Sequence, residues 1–109
     1  MKKILTAAFC AAMASPALAQ GWPTGYEGVM LQGFYWDSYS DSQWKNLEKQ
    51  APELGSYFSL LWVPQSGKCL EDYNVMGYTP YYYFNQNSSF GSEAELRSMI
   101  GAMRQNGVG

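Results

Sequence analysis

Two nearly continuous apolar runs, residues 29–36 (VMLQGFYW) and 57–63 (YFSLLWV), flank a segment whose apolar residues recur at helical spacing. An apolar run without polar interruption suits a strand covered on both faces, as in parallel sheets; a strand with one wet face alternates instead. Between the runs, Trp44, Leu47, Ala51 and Leu54 share one helical face while Lys45, Glu48 and Lys49 take the other, so an amphipathic helix is expected from Ser42 onward. Pro52 is expected to kink or end it early, and Gly55 to close it. Further on, Ser92 and Glu95 form a capping box ahead of a second stripe of Leu96, Met99, Ile100 and Met103, with Gly107 as the stop. Val108 and Gly109 read as the approach to a third strand. Strands alternating with amphipathic helices predict parallel βαβ units, with helices covering the sheet. Two strands and two helices do not close a core, so the chain is expected to be part of a larger α/β domain.

The first nineteen residues read as an address. Lys2 and Lys3 precede an apolar stretch, residues 4–14, and Pro16 and Ala17-Leu18-Ala19 supply the small-x-small pattern of a signal peptidase site. The stretch is far shorter than the roughly twenty residues that span a bilayer. Phe9 before Cys10 does not fit a lipoprotein site. Residues 1–19 are therefore expected to be a signal peptide of a secreted or periplasmic protein, and residues 20–109 the mature part.

After cleavage, five basic residues (Lys45, Lys49, Lys68, Arg97 and Arg104) face nine acidic ones. No basic run remains, so neither a nucleic acid nor an anionic membrane surface is an expected partner. Histidine is absent, which removes His-based triads and His metal sites from the chain. Cys69 would be left without an intrachain partner and reads as a small buried apolar residue rather than a nucleophile.

Trp, Tyr and Phe make up 17% of the chain. Many fall in residues 64–91, a long connection that reads as irregular. It carries Tyr73, Tyr78, Tyr81, Tyr82, Tyr83, Phe84 and Phe90. Loops much longer than the usual two to six residues are functional or disordered, and this one is too apolar for disorder. Tyr and Trp pair an apolar face with a polar tip, which suits a flat, wet ligand.

Four segments in order resemble the α-amylase family, glycoside hydrolase family 13. Gln32-Gly33-Phe34-Tyr35-Trp36 followed by Asp37 is similar to the family's first barrel strand, and Leu61-Trp62-Val63-Pro64 to its second. Met76-Gly77-Tyr78-Thr79-Pro80 followed by Tyr81-Tyr82-Tyr83-Phe84 resembles its GY-x-P-x-x-x-(Y/F) segment, and Phe90-Gly91-Ser92 with Glu95-Leu96 its (F/Y)G(T/S)xxEL. The sequence departs from the pattern at Pro64-Gln65, at Tyr82-Tyr83-Phe84, and at Val75, where some relatives carry a sugar-contacting Asp.

The resemblance implies a (β/α)8 barrel of which this chain is the N-terminal βαβα portion. It implies retaining hydrolysis of α-1,4-glucosidic bonds in starch, glycogen or maltodextrins, by a nucleophilic carboxylate and an acid/base carboxyl group. The catalytic carboxylates, and the ligands of a structural calcium, are expected beyond Gly109, so no carboxylate here is promoted to that role. Glu48, Glu53, Glu93 and Glu95 suit solvated helix faces or caps. On this reading the chain contributes substrate contacts: Tyr78 as the aromatic platform under a sugar ring, with Gln32 and Trp36 at the end of strand one. Packing in the barrel and a buried amide network is the competing role for Gln32 and Trp36, and Trp62 is expected in the helix–sheet core.

Two rival functions stay open. An exported carbohydrate-binding module would use the same aromatic residues without catalysis, but such modules are usually antiparallel sandwiches of short alternating strands. A barrel relative that has lost its carboxylates would look identical over this stretch.

Overall fold

The computed structural model describes residues 27–70 and 75–109. The leader read in residues 1–19 lies outside the described residues, as do Tyr73 and most of the lead-in to the first strand. β1 (Met30–Gln32) and β2 (Leu60–Trp62) pair in parallel, with Met30 opposite Leu60, Leu31 opposite Leu61 and Gln32 opposite Trp62. Parallel neighbours need a crossover, and α1 (Trp44–Leu54) supplies it. α2 (Glu93–Gln105) packs against α1, and the chain then returns to the sheet. Gly109 N–H donates to Ser59 O and Gly109 O accepts from Leu61 N–H, both at 2.9 Å, while the Trp62 carbonyl accepts from Gly33 N–H at 2.8 Å. Consecutive backbone groups of a strand point to opposite edges, so Gly109 lies along the edge of β2 that β1 leaves free.

The core sits where the helical stripes meet. Trp44, Leu47 and Ala51 of α1 and Leu96, Met99 and Met103 of α2 are buried together with Met76, Phe90 and Val108. Phe34, Leu61 and Val63 press on the same cluster from the sheet side. The capping box of α2 forms as read: Ser92 Oγ accepts from Glu95 N–H at 3.3 Å, and Glu95 Oε2 accepts from Ser92 N–H at 2.8 Å. Gly91 precedes it with φ 135°, and a Cβ there would stand 2.9 Å from the Trp44 ring, so the close approach of loop to helix requires glycine.

The structure corrects several expectations. The apolar runs do not become long strands. Each yields three paired residues, and Val29 and Met30 are exposed among the described residues. Trp62 is not in the helix–sheet core; strand alternation sends Leu61 to the helices and Trp62 to the opposite face. There Trp62 is 53% exposed and meets Phe34 edge-on at 5.7 Å. Pro52 does not end α1. It lies in the last turn, exposed, and the helix reaches Leu54 before Gly55 caps it. Ile100 leaves the buried stripe for the flank of α2, where it is exposed. The long connection is not wholly irregular either, since β3 (Lys68–Cys69) and β4 (Pro80–Tyr82) pair in antiparallel fashion inside it. Cys69 is buried, as a small apolar residue would be.

Candidate functional site

The segment after β1 is pinned by buried hydroxyls. Ser38 is fully buried, and its Oγ accepts from Tyr35 N–H at 3.0 Å and lies 3.0 Å from Ser42 Oγ, which is also 3.2 Å from the Gly33 carbonyl. Buried hydroxyls are costly unless hydrogen-bonded, so these satisfy one another and fix the turn. Asp37, at φ 65°, occupies the left-handed region, which Asp tolerates better than most residues. Beside it the Tyr35 hydroxyl donates to Asp41 Oδ2 at 2.5 Å. That hydrogen bond, then the carboxylate's charge, raises the Tyr35 pKa. The result is a short, ordered turn that throws Trp36 outward.

The segment after β2 meets it. Gly77 has φ 87°, and a Cβ there would stand 2.9 Å from the Gln65 carbonyl. This left-handed step lets Met76 enter the core while Tyr78 leaves it. Ser89 Oγ donates to the Val75 carbonyl and holds the incoming chain. Trp36 and Tyr78 stack with ring centroids 5.8 Å apart and planes 24° from parallel, and they remain 71% and 58% exposed. Segments leaving the carboxyl ends of parallel strands lie on the same side of the sheet, which is why residues 42 positions apart can touch.

Of the three residues singled out from the sequence, the fold stacks Trp36 on Tyr78, while Gln32 ends β1. Among the described residues the Gln32 amide is exposed and donates to Phe34 O at 3.2 Å. Residue types had flagged both rings, but nothing in their spacing announced that they stack. The run Asp37-Ser38-Tyr39-Ser40-Asp41 reads as a turn cluster with capping residues, and the structure adds that Ser38 and Ser42 join in one buried hydroxyl network.

Glu48, Glu93 and Glu95 have partners on the helix surfaces. Glu93 pairs with Arg97 at 2.7 Å and Glu48 accepts from Ser98 Oγ at 2.8 Å. Glu95 meets Lys45 at 2.7 Å in addition to its capping role. The Lys45 hydrogen bond, followed by the Ser92 backbone N–H, lowers the Glu95 pKa, and the same contact raises that of Lys45. Among the described residues no cluster of His, Cys, Asp or Glu could hold a metal ion. No helix among the described residues is long and apolar enough to cross a membrane.

No family model matches the chain. It is similar to a probable α-amylase 2 of Arabidopsis thaliana, 33% identical over 71% of this chain and 18% of that protein. It is also similar to the chloroplastic α-amylase 3 of the same plant, 31% identical over 84% of this chain and 10% of that protein. A glucan 1,4-α-maltotetraohydrolase of Roseateles saccharophilus is 34% identical over 99% of this chain and 23% of its own length. The chain thus spans less than a quarter of each of these relatives.

Proposed function

This chain belongs to the α-amylase family, and from that premise we propose that it is the N-terminal βαβα portion of the (β/α)8 barrel of an exported enzyme that hydrolyses α-1,4-glucosidic bonds in α-glucans with retention. Within it, Trp36 and Tyr78 hold a glucose ring, and Gln32 is a more peripheral contact. The single observation that carries this reading is the stacked, exposed Trp36–Tyr78 pair at the carboxyl ends of two parallel strands, the side on which barrel enzymes bind substrate. An aromatic face packs on the C–H face of a sugar while hydroxyl and indole N–H remain free to reach polar partners. Export rests on the leader pattern of residues 1–19.

The hydrolytic step belongs to carboxylates outside this chain. In a retaining enzyme one carboxylate attacks the anomeric carbon, and the other carboxyl group protonates the leaving oxygen and then activates water. Glu48, Glu93 and Glu95, engaged with Ser98, Arg97 and Lys45, are committed to helix surfaces instead. What this chain's residues do is bind and orient: Ser38, Ser42 and Asp37 fix the turn that carries Trp36, and Gly77 presents Tyr78.

The test is Tyr78→Ala in the full-length enzyme that contains this chain. A stacking contact contributes about 0.5–1.5 kcal/mol beyond area burial, and loss of the ring adds to it. A fall on the order of 10²-fold in kcat/KM per folded site is expected, and a much smaller one for Tyr78→Phe, which keeps the ring face. An Ala variant with wild-type turnover and only a lowered melting temperature would refute the assignment. The 109-residue chain alone should release no reducing sugar from starch.

A further inference from the structure

The pairing of β3 with β4 contains an irregularity with a consequence for the surface. Lys68 stands opposite Tyr82 and Cys69 opposite Pro80, so Tyr81 is an extra residue on β4 without a partner. In a regular strand, consecutive side chains point to opposite faces. A bulge re-aims one of them. Here Tyr81 and Tyr82 are consecutive, yet their rings meet edge to face at 5.2 Å, so the bulge has brought both to one side. They are 60% and 48% exposed, and the exposed aromatic run continues through Tyr83 and Phe84. Among the described residues the two rings stay together and largely uncovered, and with their hydroxyl tips they form an amphipathic platform. Tyr81 is three residues beyond Tyr78, so their Cα atoms are within about 11 Å of each other along the chain.

We propose that the Tyr81–Tyr82 pair is a second aromatic contact for an α-glucan, taking up glucose units of the same polymer chain beyond the ring held at Trp36–Tyr78. The proposal rests on the reading of Trp36–Tyr78 as a sugar platform, with which this pair is continuous through Thr79 and Pro80. Its function is chain-length discrimination: a long glucan reaches both platforms, whereas a short oligosaccharide reaches only the first. Tyrosine suits the task, because its face packs against sugar C–H groups and its hydroxyl hydrogen-bonds to sugar hydroxyls.

The experiment compares kcat/KM on long soluble amylose with kcat/KM on a short maltooligosaccharide, in the full-length enzyme carrying Tyr81→Ser and Tyr82→Ser together. Loss of two ring contacts should lower the long-to-short ratio by roughly tenfold, with the short substrate little affected. Tyr81→Phe with Tyr82→Phe should keep most of the ratio. An unchanged ratio overturns the proposal, and an unchanged ratio with a lowered melting temperature identifies the occupant as polypeptide of the same protein. Equal losses on both substrates also overturn it, since the pair would then act at the first platform. A parallel Tyr78→Ala variant separates the two readings: wild-type rates on both substrates would mean that the first platform itself is misassigned.

Discussion

Two pairs of aromatic residues in this chain have opposite fates. Trp44 and Phe90 are fully buried, with ring centroids 5.3 Å apart, where the first turn of α1 meets the loop before α2. Trp36 and Tyr78 make a contact of similar length, 5.8 Å, and stay mostly in solvent. The difference lies in what carries them. Trp44 opens a helix whose stripe at i, i+3 and i+7 faces a second helix, so its ring is enclosed by elements that pack for their own reasons. Trp36 sits on the turn that leaves β1 and Tyr78 on the turn that enters β4, each aimed outward by a local device: the Ser38 hydroxyl network for one, the left-handed Gly77 for the other. Trp44 even leaves its indole N–H without a partner among the described residues, a cost the core absorbs in exchange for the ring's volume. Aromatic content alone does not separate a buried ring from an exposed one; the element beneath each ring does.

The largest expected effect that sharpens this contrast is Trp44→Ala. Emptying a fully enclosed Trp site costs about 3–5 kcal/mol, read as a lowered urea midpoint of the full-length protein, while turnover per folded site stays near wild type. Equal stability would break the comparison. Gly77→Ala straddles the two regions. A Cβ against the Gln65 carbonyl at φ 87° should cost roughly 1–3 kcal/mol and also displace Tyr78, so melting temperature and kcat/KM should fall together. Ser92→Ala removes the cap of α2 and should cost about 1 kcal/mol with no change in kcat/KM.

A smaller effect follows pH. Glu95 has its pKa lowered in the folded state, so its pairing with Lys45 and Ser92 stabilises the fold above the ordinary carboxylate range. That contribution is lost as pH falls through the lowered value. Glu95→Gln should flatten the acid limb of stability against pH, and an unaltered limb would show that the pair contributes nothing there. Smallest of all for stability is Trp36→Ala, expected within about ±0.5 kcal/mol because the ring is exposed, yet it should lower kcat/KM. A variant that lost stability and kept activity would assign Trp36 to packing.

Much of the helical layer was legible in the sequence, because its signals are local. Trp44, Leu47 and Ala51 announce a buried face by spacing alone, and Ser92 with Glu95 announces a cap within one turn. The α-amylase resemblance was legible too, since Gln32–Trp36, Leu61–Pro64, Met76–Pro80 and Phe90–Leu96 keep their order. Strand length was not, because a strand's extent depends on neighbours that its own residues do not name. The fate of Trp62 shows why: an apolar run fixes that a residue is apolar, while pairing register decides which face it takes.

The sequence by itself therefore determined the helices, the cap, the parallel order of strands and the supply of aromatic residues. Only the tertiary structure decided that Trp36 meets Tyr78 and that a bulge turns Tyr81 toward Tyr82. The physical reason is range. Helix periodicity and capping close within three or four residues, whereas stacking between two turns depends on the crossover that makes β1 and β2 parallel and on backbone conformations at Asp37 and Gly77 that no local pattern dictates.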